Sequence, residues 1–181
     1  MYGSVVSERY ASALFEVSKR KGIQDEIDAH LGLARGLFDD RGFTKLLGSP
    51  KILIDTKMGI LRKGLEGVVN PLVLRLFELL LIRKRVNYLP EISTSFTGML
   101  EESNNIARAE VRTAVPLDGE IEKRLQESLE GITGKKILME KIVDDSLIGG
   151  VLVKIGDELL DSTIRTRLRD MKEQLLAVRV H

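Results

Sequence analysis

Residues 101–116 read EESNNIARAEVRTAVP, and the rhythm of the chain changes within them. EESNNIA (101–107) is polar and low in helix preference. Beyond it Ala109, Val111, Thr113 and Val115 alternate with Arg108, Glu110 and Arg112, the period-two pattern of a half-buried strand. Pro116 then ends the run, because it has no N–H to give to a ladder. A domain boundary is therefore expected near residue 105, giving domains 1–105 and 106–181.

Upstream of the boundary the periodicity is helical. Tyr10, Leu14 and Val17 recur on one face, widened by Ala11, Ala13 and Phe15, while Glu8, Arg9, Glu16, Lys19 and Arg20 supply wet positions. Ile23, Ile27, Leu31, Ala34 and Phe38 repeat the pattern after a break at Lys21-Gly22. Phe43, Leu46 and Leu47 predict a short helix stopped by Gly48-Ser49-Pro50, and Ile52 to Leu65 a further one running into a turn at Gly67. Asn70-Pro71 is a start signal, since Asn can cap free amides and Pro at the first helical position gives up no needed bond. The helix it opens, Leu72 to about Arg83, is apolar nearly all round, as suits a helix central to a bundle or partly covered by another protein. Leu89, Ile92, Phe96, Met99 and Leu100 mark one more, with Pro90 in its first turn.

Downstream, Ile121, Leu125, Leu129 and Ile132 line one face of a helix. Ile137 to Val143 and Ile148 to Ile155 predict a pair of strands, and Ile164, Leu168, Met171 and Leu175 return to helical spacing. The fold class expected is mainly α, with a small α+β domain at the C-terminus.

Bulk composition narrows the function. A chain of 181 residues with 43% hydrophobic and 30% charged content is globular in character. Lys and Arg number 28 against 27 Asp and Glu, and residues 1–105 carry 15 and 13 of them, so neither domain is a basic module and nucleic acid is not an expected partner. MYGSVVSERYASALFEV lacks the features of a secretory leader, and LVLRLFELLLI (72–82) is too short and too interrupted by Arg75 and Glu78 to span a bilayer.

No chemistry-bearing cluster stands out. The histidines are His30 and His181 and there is no Cys, so a zinc-type site lacks ligands; His30 reads as a helix surface residue. Asp144 and Asp145 precede Ser146 as turn formers do, without the alternating oxygens of a calcium loop. GITGKK (131–136) has the wrong spacing for a phosphate loop and reads as a helix stop, with Gly131 or Gly134 at positive φ. Gly149, Gly150 and Gly156 do not form a dinucleotide fingerprint, and no Ser or Thr sits in a nucleophile elbow. No catalytic residue, metal or cofactor is expected. Two classes stay open on these residues: a two-domain protein-interaction adaptor, and a small transferase whose site the sequence conceals.

The stretch DDSLIGGVLVKIGDELLDSTIRTRLRDMKEQL (144–175) resembles the C-terminal signature of the delta subunit of F-type ATP synthase, the family that includes the mitochondrial oligomycin-sensitivity-conferring protein. The residues that carry the likeness are Asp145, Gly149, Gly150, Lys154, Gly156, Asp161 and Arg165. RYASALFEV (9–17) resembles the family's first-helix motif and RVNYLPEI (85–92) its approach to the last N-terminal helix, so the likeness spans the chain in order. It implies a six-helix N-terminal bundle that caps the catalytic head, and a C-terminal domain that meets b-type subunits of the peripheral stalk. The implied role is mechanical, holding the alpha/beta hexamer still while the rotor turns, with one copy per complex and no catalysis. The implied partners are alpha subunits, with beta a second candidate, and the implied location is the cytoplasmic face of a bacterial membrane, reached indirectly through the complex.

By position, the surface for the alpha subunit's N-terminal helix falls on the first and fifth helices: Tyr10, Ala13 and Val17 on one, Leu72, Arg75, Leu76 and Leu79 on the other. Leu72 and Leu76 fit ordinary core as well as groove. Arg75-Leu76 departs from the Asn and aliphatic or aromatic pair that the resemblance leads one to expect. The signature itself reads as framework: a turn at Asp144 to Ser146, Gly149-Gly150 entering a strand, and Asp161 or Ser162 capping a helix that begins near Thr163.

Overall fold

A computed structural model describes residues 4–49 and 51–178; Pro50 and His181 fall outside them. The chain forms two compact units, Met1–Ser103 and Asn104–His181.

The first unit contains the α-helices α1 (Val5–Lys21), α2 (Gln24–Gly36), α3 (Arg41–Gly48), α4 (Ile54–Leu65), α5 (Pro71–Ile82) and α6 (Leu89–Ser103), with short 3-10 turns at Leu37–Asp39 and Val86–Tyr88. Local chemistry sets the ends. Ser4 caps α1 by accepting from Ser7 N, and Gly22 closes it in the left-handed conformation (φ 66°), with its N–H on Lys19 O. Asn70 caps α5 by accepting from Leu72 N at 3.0 Å, with Pro71 in the first turn. Glu91 of α6 accepts from Ser4 N (3.1 Å) and Ser7 Oγ (3.2 Å), fixing the start of α1 to α6 and holding its own carboxyl below the usual carboxylate range.

The core is one cluster in which Ile27, Leu31, Val73, Phe77, Leu80, Leu89, Ile92 and Phe96 are fully buried. α1 and α2 both pack chiefly on α6, and α5 packs on α4 and α2. The polar segment Glu101–Ser103, expected to lie outside any helix, is the last turn of α6; Leu100 is still buried there, and the exit comes at Asn105, which turns at φ 56°. α4 starts at Ile54 rather than Ile52.

The second unit contains β1 (Ile106–Thr113), α7 (Gly119–Thr133), β2 (Lys136–Val143), β3 (Val151–Ile155), β4 (Glu158–Asp161) and α8 (Ile164–Val178). The sheet order is β2-β1-β3-β4: β1 is parallel to β2 (Ala109 opposite Met139) and antiparallel to β3 (Val111 opposite Val153). The two strands expected as a pair do not pair with each other, because β1 lies between them. One sheet face buries Ala109, Val111, Ile137 and Val153 against Leu129 and Leu125 of α7. Ile121 and Ile132, expected on the same buried face, lie beyond the sheet contact and are exposed. Ile148 precedes the strand, Val115 follows β1, and both are exposed.

Candidate functional site

Of the residues expected to form the helix-binding face, Tyr10 packs against the core of the first unit and its hydroxyl accepts from Arg85 Nη1 at 3.4 Å. This bond ties Tyr10, in the second turn of α1, to the chain just beyond α5. Ala13 is exposed, and Val17 and Leu79 are each 41% exposed. Leu72 is half-buried on the core cluster and Arg75 is exposed. Leu76 is different: at 7% exposure it is a core residue that supports α5 from below. The open side of α5 is thus Leu72, Arg75, Leu79 and Ile82, at helical spacing.

The C-terminal signature residues assemble into a set of caps and turns. The turn expected over Asp144 to Ser146 is present, with Leu147 N on Asp144 O and Asp145 and Ser146 between them; Asp144 Oδ1 accepts from Ser146 N (3.0 Å) and Ser146 Oγ (2.6 Å), and these bonds hold its carboxyl below the ordinary range. Asp145 is exposed. Arg165 Nη2 reaches Ser146 O at 3.4 Å, so the first turn of α8 is tied to this loop. Ser162 N donates to Val151 O (2.9 Å) and Ile164 N to Gly149 O (3.0 Å), laying the start of α8 on the Gly149-Gly150 segment.

The cap of α8 is Thr163, whose Oγ1 accepts from Thr166 N at 3.3 Å. Asp161 acts two residues back, accepting from Thr163 N (2.9 Å) and Thr166 Oγ1 (2.8 Å), and its carboxyl is held low chiefly by the Thr163 amide. Ser162 does not cap. Lys154 lies opposite Glu110 on the sheet face turned away from α7, and Gly156 (φ 58°) turns the β3–β4 hairpin. The helix stop before β2 is Gly134 (φ 65°); Gly131 is inside α7.

Three features escaped the sequence reading. His30 is not a plain surface residue, since its Nδ1 accepts from Asn70 N at 3.1 Å, joining α2 to the start of α5. Lys57 is 7% exposed, and its Nζ donates to Leu47 O (2.6 Å) and Ser49 O (2.7 Å). α8 keeps Leu168, Met171 and Leu175 in solvent, the last at 68% exposure. Among the described residues no group of His, Cys, Asp and Glu could hold a metal ion, and no helix is long and apolar enough to cross a membrane.

Caps and turns fix an all-helical unit and an α+β unit, each with its own core and with apolar side chains left exposed on its helices. The comparisons name the kind. The family model described as ATP synthase delta (OSCP) subunit matches residues 6–175. The ATP synthase subunit delta of Symbiobacterium thermophilum is 34% identical over 98% of this chain and 96% of its own length, and that of Chlorobaculum parvum is 37% identical over 98% of each. The fold is shared with a chain of the Toxoplasma gondii mitochondrial ATP synthase hexamer (TM-score 0.69, 22% identity, 96% of this chain and 98% of that one). The chain belongs to the ATP synthase delta (OSCP) subunit family, a family of non-catalytic, structural subunits of the synthase stator.

Proposed function

We propose that the chain is a two-ended coupler within the stator. The first unit, acting as one six-helix bundle over residues 1–105, takes the alpha subunit's N-terminal helix along Tyr10, Ala13 and Val17 of α1 and Leu72, Arg75 and Leu79 of α5, with Leu76 beneath them. The second unit, residues 106–181, meets b-type subunits of the peripheral stalk through the apolar stripe of α8. One copy serves each complex, at the cytoplasmic face of a bacterial membrane.

One observation carries this reading: each unit has its own core yet leaves apolar helix side chains in water, Val17 of α1 and Leu79 of α5 in one, Leu168 and Leu175 of α8 in the other. A link that transmits torque needs two separate grips. Membranes depleted of the chain should retain ATPase activity in a head that detaches, while proton-driven synthesis disappears. Adding back the purified chain should restore synthesis in proportion to occupancy, saturating at one per head, because a clamp does not turn over. Full recovery at substoichiometric amounts would defeat the reading.

A further inference from the structure

The chain as a whole carries a formal charge of +1, but the helix-binding face does not share that balance. Arg75 stands one turn from both Leu72 and Leu79, and Arg83 one turn beyond Leu79; both are exposed, and neither guanidinium has a hydrogen-bond or ion-pair partner among the described residues. Glu78, one turn along α5 from Arg75, is engaged by Arg62 of α4 at 2.6 Å. Arg85 donates to Tyr10, which puts a third cation beside the second turn of α1. On α1, Arg20 lies one turn beyond Val17, with Glu16 as the carboxylate on that stretch, while Glu8 and Arg9 both line the cleft between α1 and α6 with Glu91.

An apolar stripe flanked by unpaired arginines fits one kind of occupant: an amphipathic helix whose apolar face is bordered by carboxylates. Arginine is suited to this, because its planar fork accepts a carboxylate through two N–H bonds and is less strongly hydrated than an ammonium. We infer that Arg75 and Arg83 select the partner helix by pairing with carboxylates on its flank, an inference that rests on the assignment of this face to the alpha subunit's N-terminal helix. The pairs set which helix docks, and in which direction, more than how tightly it holds.

The test is a titration of a labelled peptide spanning the alpha subunit's N-terminal helix from the same synthase into the full chain, at about 50 mM and about 300 mM salt. Affinity should fall several-fold at the higher salt as the pairs are screened. The double variant Arg75→Glu/Arg83→Glu, with unchanged helicity and melting, should bind about tenfold more weakly at low salt. A peptide with its flank carboxylates changed to lysine should bind that variant better than it binds the parent chain. Binding that ignores salt and both charge reversals overturns the selection by arginine while leaving the helix-binding face intact. A parent peptide that binds at neither salt overturns both.

Discussion

A β carbon placed on Gly150 would fall 2.8 Å from Thr163 Cα, and Gly150 holds φ at +88°. Both facts exclude a side chain: the left-handed backbone strains any L-residue, and the obstacle is main chain that cannot swing away. The Gly150 position is what allows Ser162 and Ile164 to donate to Val151 and Gly149, and so lets α8 start against the sheet. Gly150→Ala should destabilise the second unit by about 2–4 kcal/mol, and Gly150→Asp by at least as much. Denaturation followed by circular dichroism checks it. A Gly150→Asp chain that melts like the parent but fails to join the stator would make Gly150 a contact residue instead.

Ala13 tests the first unit. Because it is exposed, Ala13→Asp should leave the fold intact. It would place a carboxylate on the stripe with Val17, where docking strips its water without offering a partner. The expected loss of affinity for the alpha-subunit peptide is at least tenfold, or about 1.4 kcal/mol and more. Unchanged affinity with unchanged helicity would remove Ala13 from the site.

Lys57 acts within the first unit as a cap supplied from another helix. Its ammonium binds carbonyls at the C-terminal end of α3, where the helix leaves acceptors unpaired and cations are favoured. Lys57→Met keeps most of the stem packing but removes both donors, and should cost about 1–3 kcal/mol. The measurable result is a lower urea midpoint at an unchanged m-value.

These residues also show what a sequence can reveal. Gly22, Asn70-Pro71 and Gly134 were legible because a helix end needs a particular backbone or side chain within a few positions, and that requirement is local. Lys57 and His30 were not, because their partners are carbonyls and an amide 8 to 40 residues away, groups that every residue type carries. β4 was missed for another reason: Glu158–Asp161 is exposed at every position, so no alternation of burial marks it. The exposed stripe of α8 looked like any amphipathic helix, since periodicity shows which face is apolar and not whether the same chain covers it. The Tyr10–Arg85 bond joins residues 75 apart in sequence and required the packed unit to be seen.

Acid should loosen the second unit first at its turns. Asp161 and Asp144 both have folded pKa values below the ordinary 3.8, the first through the Thr163 amide and the second through the Ser146 hydroxyl. A depressed folded value means that the unfolded chain binds the proton more tightly. The stabilisation is therefore complete above the unfolded pKa and is lost as pH falls through the lower folded value. Asp161→Asn should flatten the decline in stability below about pH 4 while lowering stability at neutral pH. An unchanged acid limb in urea titrations from neutral pH downward would show that Asp161 does not contribute.

The last prediction separates the two grips. Leu168 and Leu175 are exposed on one α8 stripe, with Met171 between them, so Leu168→Glu/Leu175→Glu should change the melting of the isolated chain very little, since both side chains lie mostly in solvent. If this stripe is the stalk contact, the same two carboxylates must lose their hydration on assembly, and incorporation into depleted membranes should fall at least tenfold. Binding of the alpha-subunit peptide to the first unit should be unaffected, because the two units have separate cores. ATPase activity of the released head should likewise persist. The combination of intact folding, intact head binding and lost assembly distinguishes a coupler with independent ends from a general loss of structure. If assembly survives the two substitutions, the stalk contact lies elsewhere on the second unit, and the exposed stripe of α8 needs another explanation.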